Sequence, residues 1–427
     1  MKFYSTKTNS ITANFEDAIF KSLPPDNGLY FPEIIPSLDS SWLNELKQHS
    51  KAEIGYKVAS QFVGDEIPAD DLFRIVEETV DFDLPLTKVT DNIFSLELFH
   101  GPTWAFKDMG ARFLSRCMGY FTAKSGRAVT ILVATSGDTG SAVAAGFHNV
   151  PGVEVKILYP KGKVSEIQKK QLTTWGDNIK AFEVDGTFDD CQALVKQAFL
   201  DDDLNRKLNL SSANSINIAR LIPQSFYYFY AMQQVPTWDN VVVAVPSGNY
   251  GNITAGLMAW KMGLPISRFI AASNSNHVVP DYLITGEYVP RPSVQTYANA
   301  MDVGDPSNFV RMVELFNGSH AEMTKQISGF SMEDSEILQT IKSCKEATDY
   351  LLDPHGSIGF QSLVNELGDD ETGIFLETAH PVKFLDVVEK AMGHQLDFGD
   401  KVASLLKKEA VFDSIGADFE GFKERLI

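Results

Sequence analysis

Short apolar runs alternate with longer amphipathic stretches over most of this chain. The runs are rich in β-branched residues and have the length of strands, which is typical of strands buried in a parallel sheet. They lie at residues 93–98, 129–134, 153–159, 179–184, 241–245, 269–273 and 373–377. Because helix-like stretches separate most of them, the pattern predicts an α/β fold with a mostly parallel, doubly wound sheet.

Local signals support helices in the intervening stretches. Ser165 followed by Gln168 matches a capping box, which predicts a helix start. The stretch at 188–200 carries apolar residues at helical spacing, which we expect to face the core. That apolar face consists of Phe188, Cys191, Leu194, Val195 and Ala198.

The beginning of the chain has a different character. It contains helical stretches such as "SSWLNELKQ" and the turn-rich segment "PPDNGLYFPEIIP". We therefore predict an N-terminal extension over residues 1–90 that precedes the regular α/β alternation.

Composition restricts the class of protein. With 427 residues, 44% of them hydrophobic, the chain is long enough for two α/β lobes with a substantial core. Acidic residues outnumber basic ones by 56 to 37, and the resulting formal charge of −19 opposes binding to nucleic acid or to anionic membranes. We expect neither as a partner.

Cysteine usage and the terminal sequence predict the compartment. Cys117, Cys191 and Cys344 show no CxxC spacing, which argues against a disulfide framework or a metal site and fits a reducing cytoplasm. The N-terminus lacks the apolar core of a signal peptide, and no apolar run approaches the roughly twenty residues that cross a bilayer. We expect a soluble, cytoplasmic protein without a metal.

Two strands run into loops of small residues that open helices. These loops are "TSGDTG" at 135–140 and "PSGNYGN" at 246–252. In such loops several backbone amides converge on an anion, assisted by the helix dipole. Neither loop matches GxGxxG or the phosphate loop of ATPases, and a tight strand-to-helix turn explains either glycine pattern equally well.

A lysine adds chemistry to these loops. Lys107 stands in "HGPTWAFKDMG", after an apolar run, where it is either a surface ammonium or a covalent catalyst. A lysine together with a glycine–asparagine loop can hold pyridoxal phosphate, the amine as an imine to the aldehyde and the loop on the phosphate ester. The combination makes pyridoxal phosphate a candidate cofactor, and the interpretation of Lys107 as a surface residue stays open at this point.

Several motifs together make the chain resemble the threonine synthase family. They are, in chain order, "NGLYFPE", "HGPTWAFKD", "TSGDTG", "SANSINIAR", "PSGNYGN", "NAMDVGDPSN" and "TAHPVKF". The resemblance implies the tryptophan-synthase-β fold, called fold type II of pyridoxal-phosphate enzymes. It also implies that residues 91–427 form two doubly wound α/β lobes with the cofactor between them, behind the extension.

The resemblance assigns cofactor-binding roles to individual residues. Lys107 matches the lysine that forms the imine, and the hydroxyl of Thr378 matches the group that meets the pyridine nitrogen. Because a hydroxyl cannot keep that nitrogen protonated as an aspartate would, we expect a weaker electron sink than in aminotransferases. The loop that seats the cofactor phosphate through main-chain amides matches Ser247, Gly248, Asn249, Tyr250, Gly251 and Asn252.

Two further segments match substrate sites of the family. The first receives the α-carboxylate and consists of Thr135, Ser136, Gly137, Asp138 and Thr139. Many enzymes of this fold have asparagine at the position of Asp138; an ionised aspartate only accepts hydrogen bonds, so we expect it to bond a loop amide. The second segment binds the substrate phosphate through Asn214, Ser215 and the planar donor fork of Arg220. Lys163 is interpreted as an exposed surface lysine.

The implied reaction turns O-phospho-L-homoserine and water into L-threonine and phosphate. In it, the Lys107 amine removes first the α and then the β proton, phosphate leaves Cγ, and water adds at Cβ. The family also implies a monomer or a weak dimer. Two alternatives stay open at this point: a serine or threonine dehydratase or phosphoserine lyase of the same fold, and a protein that binds pyridoxal phosphate without turnover.

Overall fold

The computed structural model describes residues 1–427, which form 14 strands and 20 α-helices. Strands β1 to β14 are Phe3–Ser5, Thr12–Ala13, Tyr30–Pro32, Leu86–Lys88, Ile93–Glu97, Val129–Ala134, Val153–Pro160, Ile179–Asp185, Leu210–Ser212, Val241–Pro246, Ile266–Ser273, Ile327–Ser331, Thr372–Glu377 and Asp413–Gly416. Helices α1 to α20 are Phe15–Lys21, Ser40–Asn44, Lys51–Val63, Ala69–Thr79, Lys107–Ser125, Asp138–Phe147, Glu166–Thr173, Phe188–Leu200, Asp202–Leu208, Ile218–Leu221, Phe226–Gln234, Gly251–Lys261, Val278–Thr285, Phe309–Leu315, His320–Gln326, Asp334–Thr348, Pro354–Glu366, Leu385–Met392, Asp400–Lys407 and Phe419–Leu426. Short 3-10 helices cover Leu46–Gln48, Gly64–Glu66, Ile222–Ser225, Asn299–Met301 and Pro381–Phe384.

Two parallel sheets organise the structure. The larger has the order β12-β11-β10-β13-β5-β4, and only its edge strand β4 runs antiparallel to its neighbour. The smaller has the order β14-β8-β7-β6-β9 and is parallel throughout. Every residue of β6 and β10 is buried, as expected of strands whose two faces are both covered. The predicted α/β class with two doubly wound lobes is confirmed.

All seven strands that the apolar pattern predicts are present, as β5 to β8, β10, β11 and β13. The helix predictions are also confirmed. Ser165 caps α7 in a capping box with Gln168, and α8 covers 188–200 with its predicted apolar face turned inward. None of the 20 helices has both the length and the apolar character required to cross a bilayer.

Parallel pairing brings the motif loops to common sheet edges. In the larger sheet, β10, β13 and β5 are consecutive neighbours, so the segments that follow Pro246, Glu377 and Glu97 leave from one edge. In the smaller sheet, β6 pairs with β9, and the segments after Ala134 and Ser212 likewise start side by side. Open α/β sheets bind ligands at such carboxyl edges.

The N-terminal segment has its own small sheet but shares the main core. Strands β1 to β3 form an antiparallel sheet in the order β2-β1-β3. Side chains of α3, such as Ile54 and Val58, belong to the same hydrophobic cluster as Phe226 of α11 and Val241 of β10. Strand β4, just before residue 90, pairs with β5 of the larger sheet. The division at residue 90 stays a prediction.

Candidate active site

Lys107 is the first residue of α5, not the last of a strand, since a loop over 98–106 follows β5. That loop is tied to the segment after β13. The Phe106 amide donates to the Thr378 carbonyl at 2.9 Å, and Ala105 forms an antiparallel bridge with Ala379. The structure therefore brings Lys107 and Thr378 together from positions far apart in the sequence.

The amine of Lys107 is free of hydrogen bonds within the protein and lies 5.8 Å from the centroid of the Phe106 ring. Although the residue keeps some contact with solvent, its surroundings are dense, and burial is the main cause that lowers its pKa. The nearby cations Arg220 and Lys383 lower the pKa further, while Asp138 opposes them. A lowered pKa favours the neutral amine, which is the form able to act as a nucleophile or base.

The loop after β10 contains backbone amides that have no acceptor within the protein. The amide of Ser247 bonds the Ala272 carbonyl at 2.9 Å, whereas the amides of residues 248–252 donate to no acceptor in the protein. These amides lead into the N-terminus of α12, where the helix dipole also favours negative charge. Five consecutive free amides fit the phosphate ester of pyridoxal phosphate.

Side chains hold this loop in shape. The Ser247 hydroxyl donates to Asn252 Oδ1 at 2.7 Å, and Asn252 Nδ2 donates to the Pro246 carbonyl at 2.7 Å. Tyr250 adopts a left-handed φ of 59°, and its hydroxyl is hydrogen-bonded to Ser273. Because the side chains bond one another, the amides stay available for a ligand.

The same loop is joined to the segment predicted to bind substrate phosphate. Asn249 Nδ2 donates to the Ser215 hydroxyl at 2.6 Å, and Asn249 Oδ1 accepts from the Ser307 amide at 2.6 Å. A Cβ at Gly248 would lie 2.6 Å from the Cα of Met301, so only glycine fits there. The two predicted phosphate sites are thus neighbours.

Thr378 is buried, and its hydroxyl has no hydrogen-bond partner within the protein. Only its carbonyl is used, by the Phe106 amide. A hydroxyl without a protein partner, on a residue that is largely buried, fits the predicted contact with the pyridine nitrogen.

The loop after β6 is held from within by Thr135. Its hydroxyl accepts from the amides of Gly137 at 3.0 Å and Gly140 at 2.9 Å, and its own amide bonds the Leu158 carbonyl. Gly137 has a φ of 137° and lies against Gln168, where a Cβ would meet the Gln168 side chain at 2.4 Å. Thr135 and Gly137 therefore shape the loop.

Three amides of this loop, those of Ser136, Asp138 and Thr139, donate to no protein acceptor. The hydroxyls of Ser136 and Thr139 are also unpaired, and Ser136 is exposed. The loop thus retains five donors around the start of α6, an arrangement suited to a carboxylate.

The expectation that Asp138 bonds a loop amide is wrong. Its Oδ1 instead accepts from Gln168 Nε2 at 2.9 Å and forms an ion pair with Lys383 Nζ at 3.0 Å. Burial alone would raise the pKa of Asp138, but Lys383, then Lys107, and the hydrogen bond from Gln168 hold it well below its ordinary value. Asp138 is therefore a carboxylate.

Arg220 is buried without a carboxylate partner. Its Nη1 donates to the Ala213 carbonyl at 2.5 Å, while its Nε has no partner at all. Burial lowers the pKa of Arg220 to about 10, which still leaves it charged at neutral pH. The side-chain amide of neighbouring Asn214 is likewise unpaired within the protein, whereas Lys163 is exposed in the turn after β7. A buried guanidinium without a counter-ion fits a site for a phosphate.

Sequence reasoning missed two buried cations that organise this region. Lys383 lies within the quoted motif "TAHPVKF" but received no role. Arg311 of α14 is fully buried and donates to the carbonyls of Tyr30 at 2.7 Å and Ile216 at 2.8 Å and to Asn308 Oδ1 at 2.8 Å. An arginine among apolar residues, as in "NFVRMVEL", is the signal that could have indicated a buried role for Arg311.

Comparison with known protein families agrees with this geometry. The family model described as "Pyridoxal-phosphate dependent enzyme" matches residues 85–376. "Threonine synthase N terminus" matches residues 2–80, and "Threonine synthase, C-terminal" matches residues 359–425. Pyridoxal phosphate is thus the cofactor of the family to which the central region belongs.

Individual relatives match over the whole length. The chain is 44% identical to the threonine synthase of Haemophilus influenzae, with 100% of both chains covered. The crystal structure of threonine synthase from Escherichia coli superposes with a TM-score of 0.92 at 41% identity, covering 100% of this chain and 99% of the other. The structure of threonine synthase from Brucella melitensis with bound pyridoxal phosphate gives a TM-score of 0.94 at 35% identity, covering 100% and 98%. The chain belongs to the threonine synthase family of pyridoxal-phosphate-dependent enzymes.

Proposed function

We propose that this protein converts O-phospho-L-homoserine and water into L-threonine and phosphate. One observation supports the choice of substrate most directly: Arg220 is a buried guanidinium without a carboxylate partner, beside the unpaired side chain of Asn214. A second phosphate site next to the cofactor loop suits an amino acid that carries its own phosphate. Family membership supports the same reaction.

The cofactor site follows from the donors described above. When bound, pyridoxal phosphate supplies an electron sink for negative charge that develops on the amino-acid carbons. We assign the amides of residues 248–252 to its phosphate, with Ser247 shaping the loop. Thr378 is assigned to the pyridine nitrogen and Lys107 to the aldehyde.

The loop after β6 is assigned to the α-carboxylate of the substrate. Ser136 and Thr139 contribute hydroxyls and amides, and Asp138 contributes its amide. Thr135 and Gly137 hold the loop in the conformation that directs those donors toward one point. This contact fixes the orientation of the amino acid, so that its Cα and Cβ protons face the Lys107 amine.

Proton transfer and departure of phosphate are assigned to two cationic side chains. The neutral amine of Lys107 takes the proton from Cα and, after releasing it, takes the proton from Cβ. It then delivers one proton to Cγ, and a second proton returns to Cα after water has added. Arg220, with Asn214 and Ser215, holds the phosphate group and stabilises the charge that grows on its oxygen as the Cγ–O bond breaks. Water then adds at Cβ, and phosphate held by Arg220 accepts its proton.

The protein acts on a small molecule, and we propose that it does so in the cytoplasm as a monomer or weak dimer. We also propose that residues 1–90 form an extension and residues 91–427 the catalytic region. Size-exclusion chromatography with light scattering tests the first proposal. Limited proteolysis tests the second, since cleavage should concentrate near residue 90 if the two regions unfold separately.

The direct test is phosphate release from O-phospho-L-homoserine by the purified protein, with amino-acid analysis of the product. Phosphoserine and threonine serve as competing substrates, because a phosphoserine lyase or a dehydratase would prefer one of them. Threonine formation at a rate far above those two reactions supports the proposal. Equal or faster turnover of phosphoserine or threonine refutes it.

A further inference from the structure

A buried ion pair joins the two lobes beside Lys107. Lys383 lies in the 3-10 helix Pro381–Phe384, which follows β13 of the larger sheet, and Asp138 begins α6 after β6 of the smaller sheet. Their charged atoms are 3.0 Å apart, and their side chains are 0% and 5% exposed. Taking two charges out of water costs free energy, so a pair in this place calls for an explanation.

The ammonium of Lys383 has no spare donor. Besides Asp138, it donates to Gln171 Oε1 at 2.8 Å and to the Thr103 carbonyl at 2.7 Å. An ammonium has three N–H donors, and these three contacts use all of them. Lys383 is therefore fixed in position and is not arranged to bind a ligand itself.

The importance of this pair comes from the neighbouring amine. Lys107 has no hydrogen-bond partner, and Asp138 is a buried carboxylate that acts on it electrostatically. A carboxylate with no other cation would favour the ammonium form of Lys107 and pair with it. An ammonium has no lone pair, so it can neither take a proton nor attack an aldehyde.

We propose that Lys383 is a positioning residue that holds Asp138 in an ion pair and thereby prevents Asp138 from pairing with the Lys107 amine, which stays free to react. This inference rests on the proposed role of Lys107. In this arrangement Asp138 fixes the start of the carboxylate-binding loop while its charge is neutralised from the opposite lobe. Asp138 and Lys383 thus act together, and neither is expected to touch the reacting atoms.

The test must take into account every charged group that affects the pKa of Lys107. Asp138 faces it from α6, Arg220 from α10 and Lys383 from the segment after β13. Asp108, the residue that follows Lys107, interacts with Lys383 and has a pKa raised by burial. Removing the charge of Lys383 removes one of the two cations that lower the pKa of Lys107 and frees Asp138 to pair with it. The pKa of Lys107 should therefore rise.

The experiment measures protonation of Lys107 directly, in the full-length chain without cofactor. Each lysine is labelled with trace acetic anhydride between pH 6 and pH 11, and the peptide that contains Lys107 is quantified by mass spectrometry. Exposed Lys163 in the same sample is the internal reference. The variants are K383Q, K383M, K383R, D138N and K383Q/D138N, each checked for folding by circular dichroism.

K383Q should move the labelling midpoint of Lys107 upward by at least about one pH unit, so that its reactivity below the midpoint falls about tenfold. K383R should leave the midpoint near the wild-type value, and K383Q/D138N should bring it back. An unchanged midpoint in folded K383Q, or a shift that persists in the double variant, overturns the proposal.

A variant that keeps Lys383 covers the case in which K383Q and K383M do not fold. D138N leaves the Lys383 cation without its partner, so it should lower the midpoint of Lys107. A midpoint that stays the same or rises in D138N overturns the proposal as well. Because none of these measurements uses substrate, failure to make threonine would refute the proposed function without affecting this result.

Discussion

Arg220→Lys tests whether the buried guanidinium binds the substrate phosphate. The substitution keeps the positive charge but removes the planar fork that offers parallel donors to phosphate oxygens. In the present structure only Nη1 is used, by the Ala213 carbonyl, and a lysine can keep that single contact. What the variant loses is the pair of donors left for a ligand.

The magnitude follows from one charge-assisted hydrogen bond, which contributes roughly 1.5 to 3 kcal/mol. At about 1.4 kcal/mol per tenfold change, its loss lowers kcat/KM by about ten- to a hundredfold. Because the leaving phosphate gains charge as the Cγ–O bond breaks, much of the loss should appear in kcat and not only in KM.

The assay is continuous phosphate release from O-phospho-L-homoserine, combined with the spectral change of the bound cofactor on adding a phosphate-free amino acid. Arg206→Lys is the matched control, since Arg206 is exposed on α9 and should tolerate the change. Thermal unfolding of both variants identifies any general destabilisation. Wild-type turnover in Arg220→Lys, or equal damage to binding of the phosphate-free amino acid, would show that Arg220 does not recognise the substrate phosphate.

Three further perturbations test the remaining assignments. Lys107→Ala should keep the fold but abolish turnover and the cofactor label that borohydride leaves on the peptide "AFKDMGAR"; a label on another lysine contradicts the assignment. Gly251→Val should lower cofactor retention, because its side chain obstructs the free amides. It should do so without a clash inside the protein, since a Cβ at Gly251 meets no protein atom closer than 3.4 Å. Gly248→Ala should in addition lower the melting temperature, because its Cβ would collide with Met301. Retention of the cofactor by Gly251→Val would show that the amides of residues 248–252 do not bind its phosphate. His380→Asn tests pH dependence: burial, then repulsion from His100, lowers the pKa of His380 from 6.5 to about 4. Since the unfolded chain binds that proton first, the free energy of unfolding should fall between about pH 6.5 and 4, by at most about 3 kcal/mol. Denaturation of the variant should show a shallower slope in that window.

Much of the fold could be predicted from sequence because its central strands are strongly apolar. The runs at 129–134 and 241–245 are buried at every position, so hydrophobicity alone marks them. Strands β1 to β4, β9 and β14 escaped prediction because they have only two to four residues, too few for a periodic signal. Strand β12 escaped as well, because it lies at the edge of its sheet and its five residues contain no apolar run. Their pairing depends on contacts distant in sequence.

The candidate site, like the fold, could be predicted from the sequence only in part. The glycine loops are local features, so their amides could be expected from sequence. The partner of Asp138 could not, because Lys383 is distant in the chain and reaches Asp138 only when the two lobes pack together. Sequence motifs named the residues here, but the protonation state of Asp138 follows from tertiary contacts.

Arg311 connects the N-terminal segment to two segments of the candidate active site. Its guanidinium binds the Tyr30 carbonyl in β3, the Ile216 carbonyl in the substrate-phosphate segment and the Asn308 side chain. Asn308 in turn donates to the Asn249 carbonyl in the cofactor loop. Deleting the N-terminal segment would thus remove one acceptor from a buried cation and loosen the two segments that we propose to bind the phosphates. The N-terminal segment is therefore not an independent module, because its backbone at Tyr30 supplies an acceptor to the arginine that also holds Ile216 and Asn308.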